Sequence, residues 1–169
     1  MTDLGILIIK PWQFKDHRGQ IVSLHESELI FGDKKITWHH DMISVSKQNV
    51  LRGIHVSPNL WKLVTCVYGR IFLVVVDCRA QGWPPNPNFG KWQSWTIDDS
   101  DPIMILIPPG FGLAHLVLSK QAVMYYKWTG EYDGPEQLSY KYNDERFKIV
   151  WPIESEPILS ERDAKCCGD

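Results

Sequence analysis

The chain has 169 residues, 44% of them hydrophobic, enough to bury a core in one domain without covalent staples. Its 18 basic and 20 acidic residues give a formal net charge of −2, which excludes bulk attraction to nucleic acid or anionic membrane, so an anionic ligand must be small and met locally. The 4 cysteines do not read as a disulfide framework, because Cys66 and Cys78 fall in predicted core strands and Cys166 and Cys167 are adjacent near a polar terminus. The apolar run in MTDLGILIIKPW is too short for a signal peptide or a membrane span, and a reducing cytoplasm is the expected compartment.

In chain order the predicted elements are nearly all strands and turns. Ile6 to Ile9 form a short apolar strand ended by Pro11, and the polar turn Asp16-His17-Arg18-Gly19 leads into a strand from Gln20 to Leu24. Residues 26–35 read as a helical turn or a loop. Trp38 to Ser46 is a strand carrying His39, His40 and Asp41, with both histidines expected to be structural or on a dimer surface. Val50-Leu51-Arg52-Gly53-Ile54-His55 alternates, which in a regular strand puts Leu51, Gly53 and His55 on one face and Val50, Arg52 and Ile54 on the other. Trp61 to Val67 follows after a Ser-Pro-Asn turn, and Gly69-Arg70 marks a tight corner before the β-branched run Ile71 to Asp77. One His, one Arg and one Lys (Lys62) thus fall on consecutive strands, which is how a site inside a barrel is built.

The proline-rich stretch 83–88 must be an exposed loop. Gly90 to Ile97 alternates as a strand, Asp98 to Pro102 is a turn, Ile103 to Ile107 is a strand, and Pro108-Pro109-Gly110 is a break. Ala114 to Leu118 and Ala122 to Trp128 complete a set of eight or nine short strands. That spacing, with no ordinary helix before residue 150 and no repeat, predicts an all-β sandwich or a closed jelly-roll barrel in a single domain over 1–169. Residues 153–169 form a polar tail in which 156–164 is expected to make a short helix capped by Ser160.

Several co-ordered pieces resemble one family. Arg52-Gly53-Ile54-His55, Lys62-Leu63-Val64, Val76-Asp77-Cys78-Arg79, Ile107-Pro108-Pro109-Gly110-Phe111, Val117-Leu118-Ser119, Tyr126-Lys127, Tyr142-Asn143-Asp144 and Trp151-Pro152 fall in the order of the RmlC-like nucleotide-sugar epimerases. The resemblance runs from about Phe14 to Pro152 and implies a cupin-type jelly-roll barrel, usually a homodimer. The implied activity inverts carbons beside the 4-keto group of a nucleotide-linked sugar, at C3 or at C3 and C5, with no metal or organic cofactor. It also implies roles: His55 as general base, Asp144 as its carboxylate partner, and Tyr126 as the acid on the opposite face. Lys62 and Arg52 are placed near the 4-keto oxygen and the diphosphate, Arg18 at a further substrate contact, and Tyr132 on the nucleotide base.

The chain departs from the family pattern where Gly-Phe-Ala-His-Gly-Phe is replaced by Gly110-Phe111-Gly112-Leu113-Ala114-His115. A family histidine becomes Leu113, and a phenylalanine becomes His115, which joins the substrate-binding set. An acidic contact becomes Ser23. The pattern around His55-Val56-Ser57-Pro58-Asn59-Leu60-Trp61-Lys62 is closer to the branch acting on keto-heptoses for bacterial capsule or lipopolysaccharide than to the rhamnose branch.

The residue types suit this chemistry. A carbon-bound hydrogen beside a ketone is a weak acid, so a neutral imidazole removes it only if charge growing on the oxygen is stabilised, by Lys62 or Arg52. Inversion needs a donor on the other face, because a proton returned from His55 regenerates the substrate. Tyr125 points the other way from Tyr126, and the choice between them rests on the resemblance. Bland readings compete: His55 as a core histidine, Asp144 as a turn residue, Tyr126 as a core aromatic, Arg52 and Lys62 as solvated charges. A metal cupin would need a second histidine two positions after His55 and a nearby carboxylate, and Ser57 stands there instead. A carbohydrate-binding barrel stacking sugars on Trp92, Trp95 and Trp128, or a ketoisomerase on the same scaffold, are the functional rivals.

Overall fold

The computed structural model describes residues 2–24, 29–79, 86–131 and 137–166. The strands are β1 (Leu7–Ile9), β2 (Gln13–Asp16), β3 (Gly19–Val22), β4 (Leu29–Phe31), β5 (Lys34–Ile36), β6 (His40–Lys47) and β7 (Leu51–Val56). They continue as β8 (Lys62–Tyr68), β9 (Arg70–Asp77), β10 (Trp92–Asp98), β11 (Met104–Ile107), β12 (Phe111–Val117), β13 (Gln121–Trp128) and β14 (Leu138–Ser139), and one helix, α1 (Glu161–Lys165), closes the described chain. They build two five-stranded antiparallel sheets, ordered β1-β11-β8-β13-β6 and β10-β9-β12-β7-β14, with β2-β3 and β4-β5 as separate hairpins. This is the expected cupin-type jelly roll. No helix among the described residues is long and apolar enough to cross a membrane.

Period-two alternation explains how the sheets meet. Val64, Cys66 and Met124 of the first sheet and Ile71, Leu73, Val75 and Phe111 of the second share one buried cluster between them. The opposite face of the second sheet is covered too: Ile54, Val56, Val74 and Val76 pack under Tyr140 and Phe147, with Trp92 and Trp151 alongside. With both faces covered, all seven residues of β12 are buried, and each fully buried aliphatic side chain contributes about 1.5–3 kcal/mol.

Local structure departs from the expectations at three places. Residues 29–36 form a hairpin rather than a helical turn or loop, closed by Gly32-Asp33 with Gly32 at φ +60°, a two-residue turn of the type that suits strand twist. The alternation in β7 is broken by an irregularity opposite β12, where His55 pairs with Leu113 but Arg52 pairs with His115. The extra residue brings Arg52 and His55 to the same side, which strict alternation had assigned to opposite faces. Gly53 makes this possible: its φ is +108°, and a Cβ there would collide with the Leu113 carbonyl oxygen and the Ala114 side chain. The C-terminal helix starts after Ser160, not at 156, and the Ser160 hydroxyl accepts from the Asp163 N–H at 3.1 Å. Residues 83–85 of the expected loop at 83–88, and Cys167, lie outside the described residues.

Candidate active site

A cavity of about 200 Å³ opens at one end of the barrel interior. The first sheet lines it with Ser44 of β6, Lys62 of β8, and Tyr126 and Trp128 of β13; the second contributes Arg52 and His55 of β7 and Leu113 and His115 of β12. The register explains the grouping. Tyr126 lies opposite Val64 on one side and Met42 on the other, and Trp128 opposite Lys62, so inward positions of adjacent strands stand side by side.

His55 is bonded to a carboxylate, but not the expected one. Its Nε2 lies 2.6 Å from Oδ1 of Asp163 on α1, a residue only 3% exposed. Burial alone raises an aspartic acid, yet the His55 hydrogen bond and charge, with the Ser160 hydroxyl and the Gly53 N–H, hold the Asp163 carboxyl below its ordinary value. The carboxylate is therefore ionised at neutral pH, and a neutral His55 must carry its proton on Nε2 to bond it, leaving the lone pair on Nδ1.

Asp144 does not meet His55. It sits in the 140–151 segment covering the outer face of the second sheet, where Arg146 donates to it from its backbone N–H at 3.0 Å, its Nε at 2.9 Å and an Nη at 2.7 Å. The guanidinium, stacked 5.0 Å from the Tyr140 ring centroid, holds the Asp144 carboxyl below the usual range and fixes it there. Asp163 is not legible among the motifs: it lies beyond them in the polar C-terminal segment, and the one local signal for it is the Ser160 cap three residues earlier.

On the facing sheet the Tyr126 hydroxyl lies 3.2 Å from the Ser44 hydroxyl, and burial pushes the phenol above its ordinary value. Arg52 Nε donates to Ser46 Oγ at 3.0 Å. Lys62, 2% exposed, holds its ammonium 5.0 Å from the Trp128 ring centroid. Burial, with the nearby Arg52 and His55, pushes the His115 imidazole down to about 3, so it is neutral in the cavity wall.

The remaining candidates lie elsewhere. Arg18 is on the β2–β3 turn, 74% exposed and paired with Asp16 at 2.7 Å, in a surface depression beside Phe14 and Ile21 and apart from the His55 cavity. Tyr132 lies outside the described residues. Trp92, Trp95 and Trp128 do not form a stacking surface: Trp92 packs on the outer face, donating to the Phe147 carbonyl at 2.9 Å, whereas Trp95 and Trp128 belong to the interior cluster.

A jelly-roll barrel that brings an imidazole–carboxylate pair and a protonated phenol from opposite sheets to one cavity defines a cupin-type isomerase scaffold, equipped to move protons on either side of a small molecule. The chain belongs to the dTDP-4-dehydrorhamnose 3,5-epimerase family, whose model matches residues 3–168 and so extends past the motifs to include Asp163. It is 37% identical over 166 residues to dTDP-4-dehydrorhamnose 3,5-epimerase of Escherichia coli, covering 95% of this chain and 87% of that one. The Salmonella typhimurium enzyme is 35% identical over 165 residues, covering 94% and 87%. Among solved structures, the Mycobacterium tuberculosis epimerase superposes with a TM-score of 0.87 at 30% identity, covering 99% of this chain and 86% of that one. NovW of Streptomyces spheroides, a 4-keto-6-deoxy sugar epimerase, gives 0.84 at 30%, covering 96% and 81%. The Legionella pneumophila enzyme, solved with dTDP-4-keto-L-rhamnose, gives 0.84 at 28%, covering 96% and 86%. The protein is an isomerase of the sugar-epimerase type.

Proposed function

We propose that the protein inverts C3, or C3 and C5, of a nucleoside-diphosphate-linked 4-keto sugar by proton transfer between His55 and Tyr126. The observation carrying this reading is the arrival of His55, backed by Asp163, and Tyr126 from opposite sheets at one cavity. His55 Nδ1 takes the proton beside the ketone. Asp163 stabilises the imidazolium that results. Lys62 or Arg52 stabilises the enolate oxygen, and removing one such donor typically costs on the order of 10²–10³ in rate. Tyr126, kept protonated by burial, delivers a proton to the other face of the planar carbon.

The sugar is a 4-keto-hexose or 4-keto-heptose destined for surface polysaccharide, the replacements at Leu113 and His115 favouring the heptose branch. The reaction takes place in the cytoplasm, where sugar nucleotides are assembled. The working unit is a homodimer. β6 ends its sheet among the described residues and exposes Ile43 at 61% and Val45 at 54%, and the β2–β3 region exposes Trp12 at 60% and Ile21 at 63%. Docking of a second copy is also the way Arg18 meets a bound substrate.

The test is solvent deuterium exchange with a panel of nucleotide-linked 4-keto sugars. The native protein incorporates deuterium with inversion, and His55→Asn abolishes incorporation. Tyr126→Phe still washes deuterium in through His55 but yields no inverted product. Normal exchange in His55→Asn overturns the assignment.

A further inference from the structure

His115 is a polar residue of the cavity wall to which the proton-transfer scheme gives no work. Its side chain is 2% exposed, it lines the cavity, and its Nε2 has no hydrogen-bond partner among the described residues. Buried polar nitrogens are almost always satisfied, so an unpartnered one on a residue that lines a binding cavity points to a ligand group. The resemblance places an apolar phenyl ring at this position, and here a polar wall replaces it. A neutral imidazole offers one donor and one acceptor, which matches a hydroxyl, itself both donor and acceptor, and suits neither a phosphate nor a methyl group. NovW is described as acting on a 4-keto-6-deoxy sugar, whose exocyclic carbon is a methyl. Ring hydroxyls and the ketone are common to such sugars and their hydroxylated counterparts. An added polar demand in the wall therefore answers an added hydroxyl, and the exocyclic carbon can carry one without altering the reacting carbons.

Resting on the function proposed above, we propose that His115 is a specificity residue that hydrogen-bonds an exocyclic hydroxyl of the sugar, so that this enzyme takes 4-keto sugars hydroxylated where 6-deoxy sugars carry a methyl. Sites built to hydrogen-bond a substrate hydroxyl discriminate strongly against analogues lacking it, because the buried polar group is then left unpaired. Neighbouring Leu113 supplies no competing polar group.

The experiment uses matched 6-hydroxy and 6-deoxy 4-keto-hexoses on the same nucleoside diphosphate, dTDP and in parallel GDP, and compares kcat/KM from solvent deuterium incorporation within each pair. The native protein is expected to favour the 6-hydroxy member by roughly 10-fold or more. His115→Phe is expected to remove that preference, mainly by losing rate on the 6-hydroxy member, while His115→Gln, which keeps a donor and an acceptor, retains part of it. A native preference for the 6-deoxy member, or an unchanged ratio in His115→Phe, overturns the proposal while leaving the epimerase reading intact. Exchange with neither member of either pair also overturns the proposal, whereas exchange surviving in His55→Asn overturns the assignment of His55 as the base and leaves the His115 comparison readable.

Discussion

The buried imidazole of His115 makes a prediction about acid stability that is independent of catalysis. In the folded protein its value is depressed to about 3, whereas in the unfolded chain it titrates near the ordinary value of about 6.5. Protons therefore bind the unfolded state first. The stabilisation is complete above about pH 6.5 and is lost as pH falls toward the folded value, with a slope approaching 1.4 kcal/mol per pH unit. Integrating from pH 7 to pH 5 gives a loss of about 2 kcal/mol from this side chain. The charged and titratable groups around it come from several elements: Arg52 and His55 on β7, Lys62 on β8, Tyr126 on β13 and Asp163 on α1. Arg52 and His55 oppose its protonation, and only Asp163 favours it. The assay is urea unfolding of the native protein and His115→Phe at pH 7, 6 and 5 and fixed protein concentration. Titrations elsewhere are common to both and cancel in the difference. The native protein should lose about 2 kcal/mol more than the variant over this range. Parallel pH dependences for the two would refute the reasoning.

Asp163→Asn should lower kcat on the order of 10³-fold or more, because the imidazole loses the carboxylate that fixes its tautomer, and single-turnover deuterium exchange reads this directly. The Asp163 carboxyl is held below its ordinary 3.8, so its stabilisation is present above about pH 4 and lost as pH falls through the folded value; acid unfolding of Asp163→Asn should lack that component. Asp144→Ala should cost about 1 kcal/mol in urea titration through loss of the Arg146 anchor and leave deuterium exchange within a few-fold of native, and a collapse of exchange would restore Asp144 to the site. Gly53→Ala should lower stability by about 3 kcal/mol, from a positive φ together with overlap against Leu113 and Ala114, and thermal unfolding roughly 6–12 °C lower is the expected readout.

What was legible in one dimension was what local pattern determines. The β-branched runs, the turns that separate them and the absence of long helices identify the jelly roll, and the residues His55, Lys62, Tyr126, Arg52 and His115 do converge on one cavity. What was hidden depends on contacts between distant segments. The carboxylate bonded to His55 is 108 residues further along the chain, on a helix whose docking no local signal announces. The sidedness of Arg52 turns on an irregularity that Gly53 permits and that simple alternation cannot show. Asp144, by contrast, sat inside a recognisable motif and was drawn to the wrong partner, since its true one, Arg146, is only two residues away.

A helix of five residues has no independent existence in water. α1 persists because Ser160 caps it and because it leans on β7 through Asp163, the same residue that grips the imidazole. Fraying of that single turn would therefore disarm the barrel while its two sheets stayed assembled, so competence for reaction can be lost and regained by a local opening far less costly than global unfolding.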